Sequence, residues 1–428
     1  MEPSEPRLTL RGFWDSLPTP GRWLLSTTAV STLGRGMTLP FTIIYVHEVR
    51  GVPLDVAGVL MSLIGVVALV VTGPVGVLID RLGSRIVLIW GNVAQLFGAV
   101  VLAFATTVPA FVLAFTLLGI SFGVGWPGFN ALTSSIVSGR LRTQFFGINF
   151  ALINLGIGVG GIISGLLTDV DRPLTFTAIF LADAACMLVP ITLLLVPLRH
   201  TGGPPARQAS SGPQDARTAA AQGSSYLTIL RNPAVLWITA LTFLSSFVGY
   251  GQMEAGFPAF AREVSEVSTR TIGFAFAANT AVIVGLQFLV LRIIDGRRRT
   301  RVFLGLVAMW AAAWLVLGAT GLVAGTMAAA AGVILFHVLF GIGETMLQPT
   351  VPAIVNDLAS DGDRGRFNAV SSGAFQGGAI TAPIVAGLLL DRALAGVFIA
   401  LIIGCLGGVA LLALALERRI SPQVNGVR

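Results

Sequence analysis

The sequence has 428 residues, of which 54% are hydrophobic and only 11% are charged. A soluble domain carries about 25% charged residues, so this composition excludes a water-soluble protein and predicts an integral membrane protein. The net charge of +7 comes from arginines in short predicted loops, where they set membrane topology, so we expect no nucleic-acid partner. The two cysteines lie inside apolar segments and the sequence has no metal-ligand spacing, so we expect neither a disulfide framework nor a metal site.

The apolar pattern along the chain predicts twelve membrane spans. Residues 1–22 precede them as a cytoplasmic segment, in which the apolar residues between 8 and 17 indicate either a short interfacial helix or a disordered tail. A span needs about 20 apolar residues. The predicted spans are 23–46, 55–79, 84–106, 109–137, 144–168, 174–197, 233–260, 270–294, 301–321, 325–355, 367–390 and 395–416.

The arginines are distributed unevenly between the loops. If both termini are cytoplasmic, 21 arginines fall on the cytoplasmic side, five fall on the outer side, and Arg35 lies within a span. Cytoplasmic loops of membrane proteins carry an excess of basic residues. The distribution therefore predicts a multi-pass protein of the plasma (inner) membrane with both termini in the cytoplasm.

A polar stretch divides the predicted spans into two groups of six. Residues 198–232 are rich in Gly, Pro, Ser and Gln, which is typical of a flexible linker. The linker separates a six-helix bundle at 23–197 from a second bundle at 233–416, and a cytoplasmic tail follows at 417–428. Two six-helix repeats are typical of secondary transporters, whose substrate site lies at the repeat interface. The matching residues are Pro127, Arg142 and Asp169 in the first half and Pro349, Arg364 and Asp391 in the second.

One dense group of turn residues and charges lies between spans 2 and 3. It reads Gly73-Pro74-Val75-Gly76-Val77-Leu78-Ile79-Asp80-Arg81-Leu82-Gly83-Ser84-Arg85. This stretch resembles the signature of the major facilitator superfamily of secondary transporters, Gly-x3-Asp-Arg-x-Gly-Arg-Arg/Lys, although Ser84 stands where that family usually has a basic residue. The resemblance implies an all-α fold of 12 transmembrane helices in two pseudo-symmetric six-helix bundles. It also implies a cytoplasmic gate motif made of Gly73, Gly76, Asp80, Arg81, Gly83 and Arg85.

A second group of small residues lies in span 5. Gly156, Gly160, Gly161 and Gly165 permit close approach of another helix. The run resembles the antiporter signature of the same superfamily, Gly-x3-Gly-Pro-x2-Gly-Gly, with Gly161 in place of Pro and Ser164 in place of Gly. This resemblance implies the 12-helix drug/proton antiporter branch.

Four charged residues stand out well inside the predicted spans, away from the span ends: Arg35, Asp183, Glu254 and Glu344. A charge within the bilayer costs about 2.5–3.5 kcal/mol on insertion scales, so each needs a partner or a water-filled cavity. Because spans 1, 4, 7 and 10 line the central cavity in the superfamily, we predict Glu344 as the main proton or cation site and Glu254 as the second. Ion pairs that only lock the two halves are the alternative, above all for Asp183. His337, two helical turns from Glu344, either extends a proton relay or simply packs.

Polar and aromatic residues of the central spans predict the lining of a substrate cavity. Their mixture suits a largely apolar or amphipathic small molecule. The predicted lining residues are Phe41, Tyr45, Phe122, Trp126, Asn130, Tyr250, Gln252, Phe340 and Gln348.

The predicted function is export of small, largely apolar or amphipathic, drug-like compounds by proton antiport through alternating access. The protein is expected to act as a monomer in the lipid bilayer, without a cofactor and without enzymatic activity, because the sequence has no nucleotide loop or nucleophile constellation. Phe115 stands where many drug–proton antiporters carry an arginine in helix 4, so Arg35 takes over that role or proton coupling differs or is missing. The alternatives are a metabolite or peptide symporter or facilitator, a lipid flippase, and a transport-inactive sensor or assembly protein.

Overall fold

The described residues fold into twelve long helices that account for the predicted spans. The computed structural model describes residues 10–203, 233–294, 296–347, 350–358 and 364–427. The predicted all-α fold of 12 transmembrane helices is confirmed. In chain order the helices are α1 (Thr19–Thr38), α2 (Leu54–Leu82), α3 (Ser84–Phe104), α4 (Val108–Ile136), α5 (Gly139–Leu167), α6 (Pro173–Leu195), α7 (Pro233–Val248), α8 (Thr269–Ile294), α9 (Arg299–Thr320), α10 (Met327–Leu347), α11 (Arg364–Asp391) and α12 (Ala395–Glu417).

Helix α1 differs from the others in polarity. Eleven helices of the described chain are long and apolar enough to cross a membrane, and α1 is not among them. It carries Arg22 and Arg35 together with several serines and threonines. A short helix, Leu10–Ser16, precedes it and buries Phe13 in an apolar cluster with residues of α1 and α5. Residues 10–16 are thus helical, and their position at the membrane interface stays a prediction.

Spans 1 and 7 are both interrupted by a break in the regular helix. Helix α1 ends just before Pro40, which has no backbone N–H to continue the helix, and a π-helical turn at Tyr45–Val49 follows. Helix α7 ends before Gly249, whose ψ of −108° is not helical. Short helices at Tyr250–Met253 and Gly256–Glu263 then continue the span.

The two halves repeat the same packing pattern. In the first half, α1 packs against α5 and α6, α4 packs against α2 and α3, and α3 packs against α6. In the second half, α7 packs against α11 and α12, α10 packs against α8 and α9, and α9 packs against α12. Across the interface, α2 meets α11 and α5 meets α8. Each half is therefore a bundle of its own, and two matched helix pairs join the bundles.

The two halves are in close contact at the end of the bundle that carries Gly51, which we call the Gly51 end. There a side chain at Gly58 of α2 would overlap the carbonyl oxygen of Pro383 in α11. Glycine therefore permits this close backbone approach. Beside it, the Leu54 amide donates a hydrogen bond to Asp391 Oδ1 at 3.0 Å. In the second helix pair, Thr269 Oγ1 donates to the Thr168 carbonyl oxygen at 2.9 Å.

The opposite end, which carries Gly83, shows no such closure among the described residues. No atom of another segment lies within 4 Å of the position that a Cβ would take at Gly73 or Gly76. Asp80 and Arg81 are exposed, and neither forms an ion pair with a described residue. The hydrogen bonds that join described residues of the two halves lie between the Gly51 end and mid-depth. Between the described residues of the two halves, the space that we call the cleft is thus open at the Gly83 end.

Candidate functional site

An ion pair at mid-depth connects the two halves. Arg35 Nη2 of α1 donates a hydrogen bond to Glu254 Oε1 at 3.1 Å, and each side chain is one-third exposed. Arg35 also lies over the ring of Phe122 in α4, 4.7 Å from its centroid, in a cation–π contact. Of the two glutamates predicted as proton or cation sites, Glu254 is therefore the one that pairs with Arg35.

Glu344 lies within the second half and is held by neutral hydrogen-bond donors. Tyr250 Oη donates to Glu344 Oε1 at 2.6 Å, and Asn279 Nδ2 of α8 lies 3.5 Å from Oε2. The side chain of Glu344 is 8% exposed. Tyr250 and Glu254 belong to the same break in span 7. This break therefore contains Glu254 and, through Tyr250, hydrogen-bonds Glu344.

Asp183 is buried within the first half rather than between the halves. Gln95 Nε2 of α3 donates to its Oδ2 at 3.2 Å, while Oδ1 has no hydrogen-bond partner among the described residues. The carboxylate lies directly against Gly34 of α1. It lines a cavity of about 50 Å³ that Arg35 and Glu254 also line. Asp183 is therefore next to the central ion pair without joining it.

His337 does not extend a chain of hydrogen bonds from Glu344. Its ring is 1% exposed and neither nitrogen has a hydrogen-bond partner in the described part of the chain. The ring packs edge-on against Phe257 at 4.3 Å and lies 4.5 Å from Phe276, centroid to centroid. Of the two predictions for this residue, the packing role is the one that the contacts support.

The predicted lining residues separate into two groups. Phe122 and Trp126 are exposed, and Asn130 and Tyr250 are half-buried. Gln252 and three aromatic residues are instead buried inside the bundles, because aromatic spacing on a membrane helix does not show which face meets the cleft; Gln348 lies outside the described residues. The buried residues are Phe41, Tyr45, Gln252 and Phe340, the last stacked on Trp310.

The glycines of α5 form helix contacts on two sides. A side chain at Gly156 or Gly160 would overlap α1, at Thr32 and at the Leu33 carbonyl oxygen respectively. Gly165 lies against Gly273 of α8, and a Cβ at Gly161 would lie 3.4 Å from Phe276 Cβ. The motif therefore packs α5 both within its own half and across the interface. In the gate motif, Gly83 has a φ of 86° that favours glycine, and Arg85 Nη1 donates to the Leu194 carbonyl oxygen at 3.2 Å.

Four titratable side chains that no sequence pattern singles out meet at the Gly51 end, and we call this group the latch: His47, Glu48, Arg262 and Glu263. Glu48 accepts hydrogen bonds from Arg262 Nε at 2.8 Å and Nη2 at 2.5 Å. His47 Nε2 lies 3.4 Å from Glu263 Oε1. The signal was present as two adjacent polar pairs just beyond predicted spans 1 and 7, but nothing in the sequence showed that they meet.

The interaction between His47 and Glu263 shifts the pKa of both side chains. The hydrogen bond with Glu263 raises the pKa of His47 above its ordinary 6.5, against the opposing effect of burial. The same hydrogen bond lowers the pKa of Glu263 below its ordinary 4.5. The other charged groups that act on these two are Glu48 and Arg262. Charged His47 and charged Glu263 both favour the closed latch.

We expect closure of the Gly51 end to depend on pH. The contribution of His47 is fully present below about pH 6.5 and is lost as the pH rises through its raised pKa; the contribution of Glu263 is present above about pH 4.5 and is lost below that value. The separation of the halves can be measured by pulsed electron paramagnetic resonance between two spin labels. The labels are attached to cysteines introduced at the exposed positions Pro53 and Arg392, and the native Cys186 and Cys405 are replaced by alanine. The mean distance should increase from pH 6 to pH 9.

The variant His47→Gln provides the control for the latch. Glutamine can still donate a hydrogen bond to the Val52 carbonyl oxygen, which His47 Nδ1 contacts at 2.8 Å, but it cannot become charged. The distance should then be the same at pH 6 and pH 9. A pH dependence that persists in His47→Gln would assign the effect to another group.

Three comparisons with known proteins agree on the fold. A family model described as Major Facilitator Superfamily matches residues 24–337 and 314–427. The uncharacterized MFS-type transporter YdeE of Escherichia coli (strain K12) is 22% identical over 374 residues, which cover 86% of this chain and 88% of YdeE. The uncharacterized MFS-type transporter YttB of Bacillus subtilis (strain 168) is 24% identical over 366 residues, with coverage of 85% and 86%.

Solved structures of two transporters share this architecture. The nucleoside transporter NupG superposes with a TM-score of 0.73 at 13% identity, covering 93% of this chain and all of NupG. A peptide transporter, POT, in complex with sulfate superposes with a TM-score of 0.74 at 15% identity, covering 98% of this chain and 99% of POT. At these identities the likeness shows the fold alone.

Proposed function

Because the chain belongs to the Major Facilitator Superfamily and is a membrane transporter of that type, we propose that it exports small, largely apolar or amphipathic compounds by proton antiport. The observation that carries the proposal is a pair of glutamates that meet at the break in span 7: Glu254 lies in the break, and Glu344 of α10 accepts a hydrogen bond from Tyr250 of the break. Glu254 bonds Arg35 of the other half, and Glu344 accepts from Tyr250 within its own half. Movement between the halves and proton exchange therefore act on the same short segment.

Glu344 is the proposed proton carrier. Glu344 is almost fully buried and is bonded by two neutral donors, and no described residue offers it a positive side chain to compensate its charge. Loss of its proton therefore favours any rearrangement that brings water or a cation to it. Tyr250, four residues before Glu254, can transmit that rearrangement to the ion pair. Arg35 supplies a fixed positive charge in the place of the arginine that α4 lacks at Phe115.

The arginine distribution supports placing the Gly83 end in the cytoplasm. With that orientation, the cleft is open to the cytoplasm and the latch closes the outer side. The exposed gate residues Asp80 and Arg81 are then disengaged, and they would meet the second half when the outer side opens. Compounds would enter from the cytoplasm between α4 and the second half, where Phe122 and Trp126 present exposed rings.

Transport into proteoliposomes tests the proposal. Ethidium is a suitable amphipathic probe because its permanent charge prevents passive trapping by a pH gradient. We expect liposomes that are acidic inside to accumulate ethidium as protons leave, and liposomes without a pH gradient to reach only the external concentration. Accumulation of a dipeptide in alkaline-inside liposomes would indicate a symporter instead. Absence of any dependence on the pH gradient would contradict proton coupling.

A further inference from the structure

The first half contains a second cavity, of about 200 Å³, between α1, α3, α4, α5 and α6. It lies on the face of α1 that carries Arg35, because Leu24, Thr28 and Ser31 of its lining precede Arg35 at intervals of three or four residues. Trp126 of α4 lines it, one turn from Phe122, which contacts Arg35. This side cavity therefore continues from the central ion pair toward the Gly83 end.

The lining of the side cavity is polar but uncharged. It contains four hydroxyl groups of α1, two amides and the exposed ring of Trp126, and no acidic or basic residue. A charged ligand would find no compensating charge there, and a fully apolar ligand would leave the amides unpaired. The polar lining residues are Thr27, Thr28, Ser31, Thr32, Asn92 and Asn149.

The hydroxyl groups of α1 face the side cavity as acceptors. Thr27 donates to the Leu24 carbonyl oxygen at 2.7 Å, and Ser31 and Thr32 donate to that of Thr28 at 3.2 and 2.7 Å. Thr28 donates to Asn149 Oδ1 at 2.7 Å. Each hydroxyl proton is thus used within the protein, and the oxygens keep lone pairs for a ligand.

Two amide groups supply donors to the same space. Asn149 is 3% exposed, and its Oδ1 is bound by Thr28, which leaves the Nδ2 group without an acceptor among the described residues. Asn92 of α3 makes no side-chain hydrogen bond to a described residue, although it is half-buried. Both amides line the cavity and can donate hydrogen bonds to a ligand or water in it.

We propose that the side cavity is a binding subsite for the uncharged, hydroxyl-bearing ring of a transported compound, with the ring stacked on Trp126. Such a ring donates to the hydroxyl oxygens of α1 and accepts from Asn92 and Asn149. A volume of about 200 Å³ accommodates one ring with its substituents. This inference rests on the proposed function and names the substrate chemistry of the same cleft.

Equilibrium dialysis of the purified protein tests the subsite without a pH gradient. The probe is 4-methylumbelliferyl β-glucoside, and the comparison is 4-methylumbelliferyl sulfate, which has the same aromatic ring but a negative charge. We expect saturable binding of the glucoside and at least about tenfold weaker binding of the sulfate, the equivalent of one hydrogen bond. Equal binding of both compounds would overturn the proposal.

Two variants locate the binding. Asn149→Leu removes the amide, and Gly125→Leu fills the cavity from a position where an added Cβ meets no atom within 4 Å. Each should weaken glucoside binding about tenfold or more. Asn154→Leu is the matched control, since its amide already donates to the Phe150 carbonyl oxygen in the same helix, and it should bind like wild type. Wild-type affinity in Gly125→Leu would overturn the subsite.

Failure of this inference differs from failure of the proposed function. If the glucoside does not bind but ethidium accumulates in acid-inside liposomes, the subsite is wrong and proton antiport stands. If the glucoside binds as expected but no compound responds to a pH gradient, the subsite stands and proton coupling is wrong.

Discussion

Replacement of Glu344 by glutamine is expected to abolish accumulation driven by a pH gradient, down to the level of protein-free liposomes. Glutamine keeps the size of the side chain and still accepts a hydrogen bond from Tyr250, but it cannot release or bind a proton. Exchange of labelled for unlabelled substrate at equal pH requires no net proton movement, so it should continue in Glu344→Gln. The measurement is the ratio of gradient-driven accumulation to exchange in the same preparation.

Glu266→Gln is the matched control for this prediction. Glu266 is exposed, in the connection before α8, and the same chemical change there should leave both rates unchanged. Gradient-driven accumulation at the wild-type level in Glu344→Gln would remove Glu344 from proton coupling. Loss of both accumulation and exchange would assign Glu344 to substrate binding or folding.

A leucine at Gly58 is expected to force the Gly51 end open. The added Cβ would overlap the Pro383 carbonyl oxygen and lie 3.3 Å from Gly387 Cα. Both obstacles are helix backbone, so rotation of a side chain cannot relieve the overlap. The halves must separate at this end, and the equilibrium shifts toward the conformation open on the side of the latch. The spin labels at positions 53 and 392 should report a distance increase at every pH.

Gly404→Leu provides the control for Gly58→Leu. Gly404 lies in α12, and no atom of another segment lies within 4 Å of an added Cβ there. The spin-label distance should match that of wild type. A Gly58→Leu protein that is folded and retains the wild-type distance would contradict the close contact between α2 and α11.

Much of the fold could be predicted from the sequence because bilayer thickness fixes the length of an apolar span. The charged residues of the candidate site stood out for the same reason, since Arg35, Glu254 and Glu344 interrupt apolar stretches. Their partners could not be predicted. Whether Arg35 faces Glu254 or Glu344 depends on the register between α1 and the break in span 7, and this register is set by packing between residues 219 positions apart.

Local patterns were least informative where the chain leaves regular helix. The breaks after Thr38 and Val248 turn side chains away from the faces that an unbroken helix would present. Tyr45 thus lies in the interior of the first half, where its hydroxyl donates to the Ala103 carbonyl oxygen at 3.1 Å. The latch residues lie just beyond predicted spans 1 and 7, where a polar pair has the same appearance in the sequence whether water or another helix covers it.

The low hydropathy of α1 has a consequence for how the protein enters the membrane. Helices α5 and α6, which surround α1, are synthesised after it. An arginine at the centre of a membrane span opposes transfer from the translocon into lipid by about 2.5–3.5 kcal/mol. Span 1 carries Arg35, in the last turn of α1, and a face of hydroxyl groups. Stable integration of α1 therefore depends on contacts that form only after α5 and α6 are synthesised. We expect α1 to become stably inserted in the bilayer only when the helices of the first half pack together.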